Sequence, residues 1–223
     1  MEERIRNLSE RAEFLLVISI SFAYFISSSL VVLVLRIHEF ELTTGRLLRG
    51  IAVEIGILLI VGWFLSVRGW RLSRLGPRPS WSALLAGIPL LIACYALYGT
   101  ARFLVVSAYP AAANLATVRM VPKAPLAVVI AFILVNSVFE EALVTGYVVT
   151  VLAEQGAALA ITASALLRFL YHLYQGPIAS LAVLPLGIVF AAVYWRWKTL
   201  WPLIVAHTIA NAIAYAVAAS RAV

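Results

Sequence analysis

The sequence predicts an all-α, polytopic transmembrane helix bundle with about seven membrane-spanning helices. Three observations lead there. Of 223 residues, 64% are hydrophobic and only 12% are charged, too few charges to cover a water-exposed surface. The apolar residues fall in runs near the roughly 20 needed to cross a bilayer core. The cations, 15 Arg and 2 Lys against 10 Glu and no Asp, gather in short loops between those runs. Lys and Arg in such loops orient helices and meet anionic headgroups. The formal charge of +7 therefore points to lipid as a partner and not to nucleic acid. A soluble enzyme and a disordered tail are excluded on the same grounds. The single cysteine, Cys94, leaves no intrachain disulfide.

Span one runs from about Phe14 to Leu35. Its charged preamble and its length set it apart from a cleaved signal peptide, whose apolar region is only about 7–15 residues. Span two, Leu47 to Val67, carries Glu54. The segment Arg68 to Ser80 spaces Arg68, Arg71, Arg74 and Arg78 at three or four residues beside Trp70, Leu72 and Leu75. That is the pattern of an interfacial, lipid-facing element, closed by Gly76-Pro77. Span three, Trp81 to Val106, is expected to bend at Pro89. Ser107 to Pro125 reads as a loop, with Pro110, Pro122 and Pro125.

Span four, Leu126 to Leu152, carries Glu140-Glu141. Span five, Ala157 to Tyr174, ends at Gln175-Gly176-Pro177, and span six is Ala179 to Trp195. A basic turn, Arg196-Trp197-Lys198, lies between the interface anchors Trp195 and Trp201, and span seven is Leu200 to Ala219. Seven spans put the termini on opposite sides. A cytoplasmic N-terminus places nine cations inside and seven outside, the direction of the positive-inside rule. Residues 1–223 read as one membrane domain, with N-terminal helices and a basic interfacial segment in 1–125 and a motif-bearing core in 126–219.

A charge at mid-bilayer costs about 2.5–3.5 kcal/mol on insertion scales, so such residues turn inward and find partners. The spans contain Glu54, Arg102, Glu140, Glu141, Arg168, His172 and His207. Arg102 is near a span end and can snorkel. Glu54 stands alone on span two, is expected to be structural or snorkelled, and is assigned no role. Glu140 and Glu141 are neighbours, so helical geometry points them about 100° apart and toward different jobs. Arg168 and His172 share a face of span five, as His207 and Asn211 share one of span seven. The economical packing turns the three polar stripes toward one shared cavity, built by spans four to seven. Tyr171, Tyr174 and Gln175 fit either pocket lining or interface anchoring.

The stretches Glu140-Glu-Ala-Leu-Val-Thr-Gly146, Arg168-Phe-Leu-Tyr-His-Leu-Tyr-Gln-Gly176 and His207-Thr-Ile-Ala-Asn211 resemble the three motifs of the CAAX-protease and bacteriocin-processing family (CPBP, also called Abi) of intramembrane proteases. The resemblance covers about Leu126 to Val217. It departs at two places. The family's first motif reads E-E-x-x-x-R, and Thr145 stands at the arginine. Its second reads F-x-x-x-H, and Arg168 stands at the phenylalanine. One buried cation is lost and one gained, so Arg168 is expected to supply from span five the charge that Thr145 does not supply from span four.

The resemblance implies an intramembrane endopeptidase in which Glu140, with His172, holds and deprotonates water. Burial of a carboxyl moves its proton affinity toward what a general base needs at neutral pH. His207 and Asn211 would donate hydrogen bonds to the oxyanion, with Glu141 paired to Arg168 in support. A rival chemistry makes Glu140, His172 and His207 the ligands of a catalytic zinc with water as the fourth, although no H-E-x-x-H is present. Without zinc, no cofactor is expected.

The expected substrate is a membrane-associated peptide or protein, and the expected location a prokaryotic plasma membrane. The Arg-over-Lys bias suggests a GC-rich bacterial genome, which does not single out a prenylated substrate. The alternative class is a non-proteolytic membrane protein: a bacteriocin self-immunity or scaffold relative, or a proton-coupled carrier using Glu140 and His172 as a relay. A carrier would often repeat its polar helices in both halves, and here they are one-sided.

Overall fold

The computed structural model describes residues 2–76, 79–110 and 118–221, and the protein is all-α in class. A short helix α1 (Glu2–Arg6) leads into α2 (Glu10–Val34). The hydroxyl of Ser9 caps α2 by accepting the Ala12 N–H, with Glu10 and Glu13 in its first turn, where the helix dipole favours acids. α3 (Thr44–Val67) is capped in the same way by Thr43. The third span is α4 (Trp81–Leu85) followed by α5 (Gly87–Ala108). Its break falls at Ala86, ahead of the expected bend at Pro89. A proline ring collides with the carbonyl four residues back, and that carbonyl belongs to Leu85, the last residue of α4.

α6 (Leu126–Glu140) runs through a π-helical segment, Glu141–Tyr147, into α7 (Val148–Leu152). α8 (Ala157–Tyr171), α9 (Pro177–Trp197) and α10 (Trp201–Ser220) complete the bundle. Among the described residues six helical stretches are long and apolar enough to cross a membrane, so the protein is a multi-pass membrane protein. The expected fifth span is shorter. α8 has 15 residues, about 22 Å at 1.5 Å per residue, and stops inside the bundle at a 3₁₀ turn, Leu173–Gln175. Irregular backbone at that depth needs cover from protein or a cavity. Ser29 of α2 accepts the Tyr174 N–H at 2.7 Å, and the Ser180 hydroxyl donates to the His172 carbonyl at 2.9 Å. Gly176, at φ 90°, then turns the chain into α9.

The stretch expected to be a loop holds a strand. β2 (Arg119–Pro122) pairs in parallel with β1 (Glu39–Leu42), Glu39 opposite Arg119 and Leu42 opposite Pro122. Ion pairs Glu39–Arg119 and Glu41–Lys123 cross the pair. Strands of four residues, one ending in proline, leave too little alternation to read from sequence. Residues 111–117 of the expected loop, and Pro77 and Arg78 of the basic segment, lie outside the described residues.

The basic segment also departs from expectation at its first arginine. Arg68 faces protein, not lipid. Its Nε donates to Glu13 Oε2 at 2.6 Å and its Nη1 to the carbonyls of Ile5 and Arg6. Trp70 Nε1 donates to Glu13 Oε1 at 3.0 Å. Arg71 and Arg74 are exposed as expected.

The fourth span lies at the centre. The most apolar stretch within 126–155 is 44% buried, against 17–29% for the other five. Phe22 and Phe25 of α2 pack on Phe139 with ring centroids 5.7 and 5.5 Å apart, and Phe22 stacks on Tyr171 at 5.4 Å. Gly187 lets α9 close on α8, since a Cβ there would lie 3.2 Å from Ala165 Cα. Small residues at such contacts are how helices gain van der Waals packing in lipid. Leu15, Leu59, Ile92 and Leu126 face outward, an apolar surface suited to acyl chains.

Candidate functional site

The α-helical ladder of α6 widens to π geometry at the glutamate pair, a distortion common at functional sites. The side chains of Glu140 and Glu141 do not diverge as spacing alone predicted. Arg168 Nη1 donates to Glu140 Oε2 at 3.1 Å, and Nη2 donates to Glu141 Oε1 at 2.8 Å. Two long side chains reach the two prongs of one planar fork. All three residues are buried. Nη2 also donates to Thr145 Oγ1 at 3.2 Å, and that hydroxyl donates to Glu141 Oε2 at 2.7 Å. The guanidinium thus lies against position 145, the one where the family motif carries its arginine.

Glu140 is held at both oxygens. The Tyr171 hydroxyl donates to Oε2, and Asn136 Nδ2 donates to Oε1 at 3.2 Å. His172 Nδ1 lies 2.8 Å from the Arg168 carbonyl. A carbonyl only accepts, so Nδ1 is the protonated nitrogen and Nε2 is left to the site. His207 Nδ1 is 2.7 Å from Glu141 Oε1, and its Nε2 is 4.0 Å from Glu140 Oε2. Asn211 Nδ2 donates to Asn136 Oδ1 at 3.2 Å.

Two cavities meet at Glu140, where the sequence suggested one. The smaller, about 210 Å³, is lined by Asn136, Glu140, His172, His207 and Asn211 among apolar residues. The larger, about 470 Å³, extends between α2 and α3 past Tyr171 to Glu54. Both are bordered by Leu42 of β1 and Met120 of β2. Tyr174 also lines both, and Gln175 lines the smaller. For Tyr171, Tyr174 and Gln175, pocket lining prevails over interface anchoring.

Glu140, Glu141, Arg168, His172, His207 and Asn211, nominated from three separate spans, therefore come together. Two residues were missed. Asn136 joins Glu140 to Asn211, and its Nδ2 also donates to Glu54 Oε1 at 2.9 Å. Glu54, expected to be structural or snorkelled and assigned no role, is 2% exposed, so it does not snorkel, and it is tied to the site. The available signal was the spacing of Asn136, one helical turn before Glu140, but an uncharged amide in an apolar run escapes a search for ionisable groups.

The rival zinc reading names Glu140, His172 and His207. Among the described residues, Glu140, Glu141 and His207 place one ligand atom each within 4.8 Å of one another, with Glu141 in the place of His172. This donor set does not fit a dication well. Both carboxylates already face the fixed positive charge of Arg168, and a divalent ion between them would be repelled by it at short range in a dry interior.

Residues 122–213 match the family model described as type II CAAX prenyl endopeptidase Rce1-like. No curated protein and no solved structure matches the chain. The matched stretch holds Asn136, both glutamates, Arg168, both buried histidines and Asn211, while Glu54 lies ahead of it. Residues 122–213 are thus similar to the type II CAAX prenyl endopeptidase Rce1-like family, and they lie in a multi-pass membrane helix bundle.

Proposed function

We propose that this protein is an intramembrane endopeptidase that hydrolyses a peptide bond in a membrane-associated substrate. The observation that carries the reading is the position of Glu140. Its carboxylate lines both cavities, as His172 does, with His207 and Asn211 on the smaller one.

Each carboxylate oxygen has two lone pairs, so Glu140 Oε1 can take a water proton while keeping the Asn136 bond. His172 Nε2 is the second contact that orients that water. The water oxygen adds to the scissile carbonyl carbon as its proton passes to Glu140. The oxyanion then meets Asn211, whose Nδ2 has a second hydrogen beyond the one given to Asn136, and the Nε2 edge of His207, which donates when that nitrogen carries a proton. Collapse breaks the C–N bond, and Glu140 returns the proton to the leaving amine. Glu141 orients His207 through Nδ1, as a buried carboxylate does in other hydrolases. Arg168 offsets the charge of both glutamates, supplying the cation that the family's first motif carries at the position of Thr145.

This scheme needs no metal, and the guanidinium on both carboxylates supports that choice. The partners are a peptide or protein substrate and anionic lipid, in a prokaryotic plasma membrane. Purified in detergent and offered a library of membrane-anchored peptides, wild type should cleave, and Glu140→Ala and His207→Ala should not. Unchanged product in both variants would remove the site. Exhaustive chelation should leave the rate intact, whereas a loss restored by zinc would replace the mechanism.

A further inference from the structure

The N-terminal half of the chain also reaches Glu140, through the missed residues. We propose that Asn136 and Glu54 are a positioning pair for the site: Glu54 fixes the Asn136 amide, and Asn136 in turn fixes Glu140 and Asn211. The effect on rate rests on the endopeptidase reading, and the effect on geometry does not.

Asn136 has one acceptor oxygen and two N–H donors. Its Nδ2 faces Glu54 Oε1 at 2.9 Å and Glu140 Oε1 at 3.2 Å, and its Oδ1 accepts from Asn211 Nδ2 at 3.2 Å. Two carboxylates and one donor therefore dictate which way the amide points. Without Glu54 one hydrogen loses its acceptor, and the pull that keeps Nδ2 toward the carboxylates is halved. Rotation of the amide would set its oxygen against Glu140 Oε1 and its nitrogen against Asn211 Nδ2, an acceptor on an acceptor and a donor on a donor. Both groups that meet the reacting carbonyl would then move.

Glu54 differs from a simple tie between α3 and α6. Its Oε2 is buried with no hydrogen-bond partner among the described residues, and Glu54 lines the larger cavity. A carboxyl left half-satisfied inside a membrane span is costly and marks function by default. Positioning errors near 1 Å change rates by up to about a hundredfold, which sets the scale of the expected effect.

Two measurements decide the inference. In kinetics, Glu54→Leu should lower kcat about tenfold or more with KM within about twofold. Glu54→Gln, which still offers an oxygen to Asn136, should stay within about threefold of wild type. In an Asn136→Ala background Glu54→Leu should cost nothing further, because coupled sites are not additive. A KM effect alone, or fully additive losses, would overturn the pair.

The second measurement needs no turnover. The chain has four asparagines, Asn7, Asn114, Asn136 and Asn211, so ¹⁵N-asparagine labelling in detergent gives a sparse set of side-chain amide signals. Glu54→Leu should move those of Asn136 and Asn211 and leave Asn7 in place, and an unmoved Asn211 refutes the relay. If cleavage does not depend on Glu140, the endopeptidase reading falls and the amide signals alone decide the pair.

Discussion

At one end of the bundle Arg68 donates to Glu13 and to the carbonyls of Ile5 and Arg6, and Trp70 takes the other Glu13 oxygen. In its middle Arg168 donates to Glu140, Glu141 and Thr145. Both are arginine–glutamate clusters between helices distant in sequence. The first spends its hydrogen bonds on the scaffold, tying α1, α2 and the end of α3 together. The second has two carboxylates for one arginine, two imidazoles and two amides nearby, and two cavities that both reach Glu140. Burial of an ion pair is therefore common to both clusters. What sets the proposed site apart is a surplus of polar groups beside open space.

The sharpest break between the clusters should come from Glu140→Gln. It keeps the shape and removes the base, so turnover should fall roughly 10³–10⁴-fold while the melting temperature in detergent barely moves. A variant with near wild-type turnover would make the central cluster as structural as the first. Next in size is Arg168→Phe. It leaves two buried carboxylates without their cation, at a cost of about 3–5 kcal/mol in stability. Thr145→Arg in that background should recover folding, read by thermal denaturation and by yield of monodisperse protein. Full stability and activity of the single variant would end the idea that Arg168 stands in for the family arginine.

Glu13→Ala probes the other cluster. It should cost about 1–3 kcal/mol, since Arg68 Nε, Trp70 Nε1 and the Tyr147 hydroxyl lose their acceptor, with kcat per folded molecule unchanged. A kcat loss there would erase the contrast. The smallest effect is expected from Tyr194→Phe. Its hydroxyl bonds Thr150 at 2.9 Å and the Leu75 carbonyl at 3.1 Å, worth about 0.5–1.5 kcal/mol, again with no change in turnover.

Much of this was legible in the chain. Apolar runs showed the spans, because bilayer thickness imposes a length on each helix. Glu140, Glu141, Arg168, His172 and His207 are marked by the cost of an ionisable group in such a run, and Asn211 by its place one helical turn after His207. Tyr171 was ambiguous, since a tyrosine near a helix end suits an interface as well as a pocket. Asn136 carries no charge to single it out, and spacing does not name a partner for Glu54, because their meeting joins residues 82 positions apart.

The amino-acid pattern by itself determined that the protein crosses a membrane, where its helices run and which few side chains cannot face lipid. Those follow from local composition and from the cost of moving charge out of water. The tertiary structure alone decided which of those side chains touch. The turn to π geometry at Glu141, the early end of α8 at Tyr171 and the strand pair at the cavity border all depend on neighbours far along the chain. So does the convergence of both glutamates on one guanidinium. Hydrogen bonds within a membrane interior are set by whichever donors and acceptors packing brings within reach, and a linear pattern does not carry that distance information.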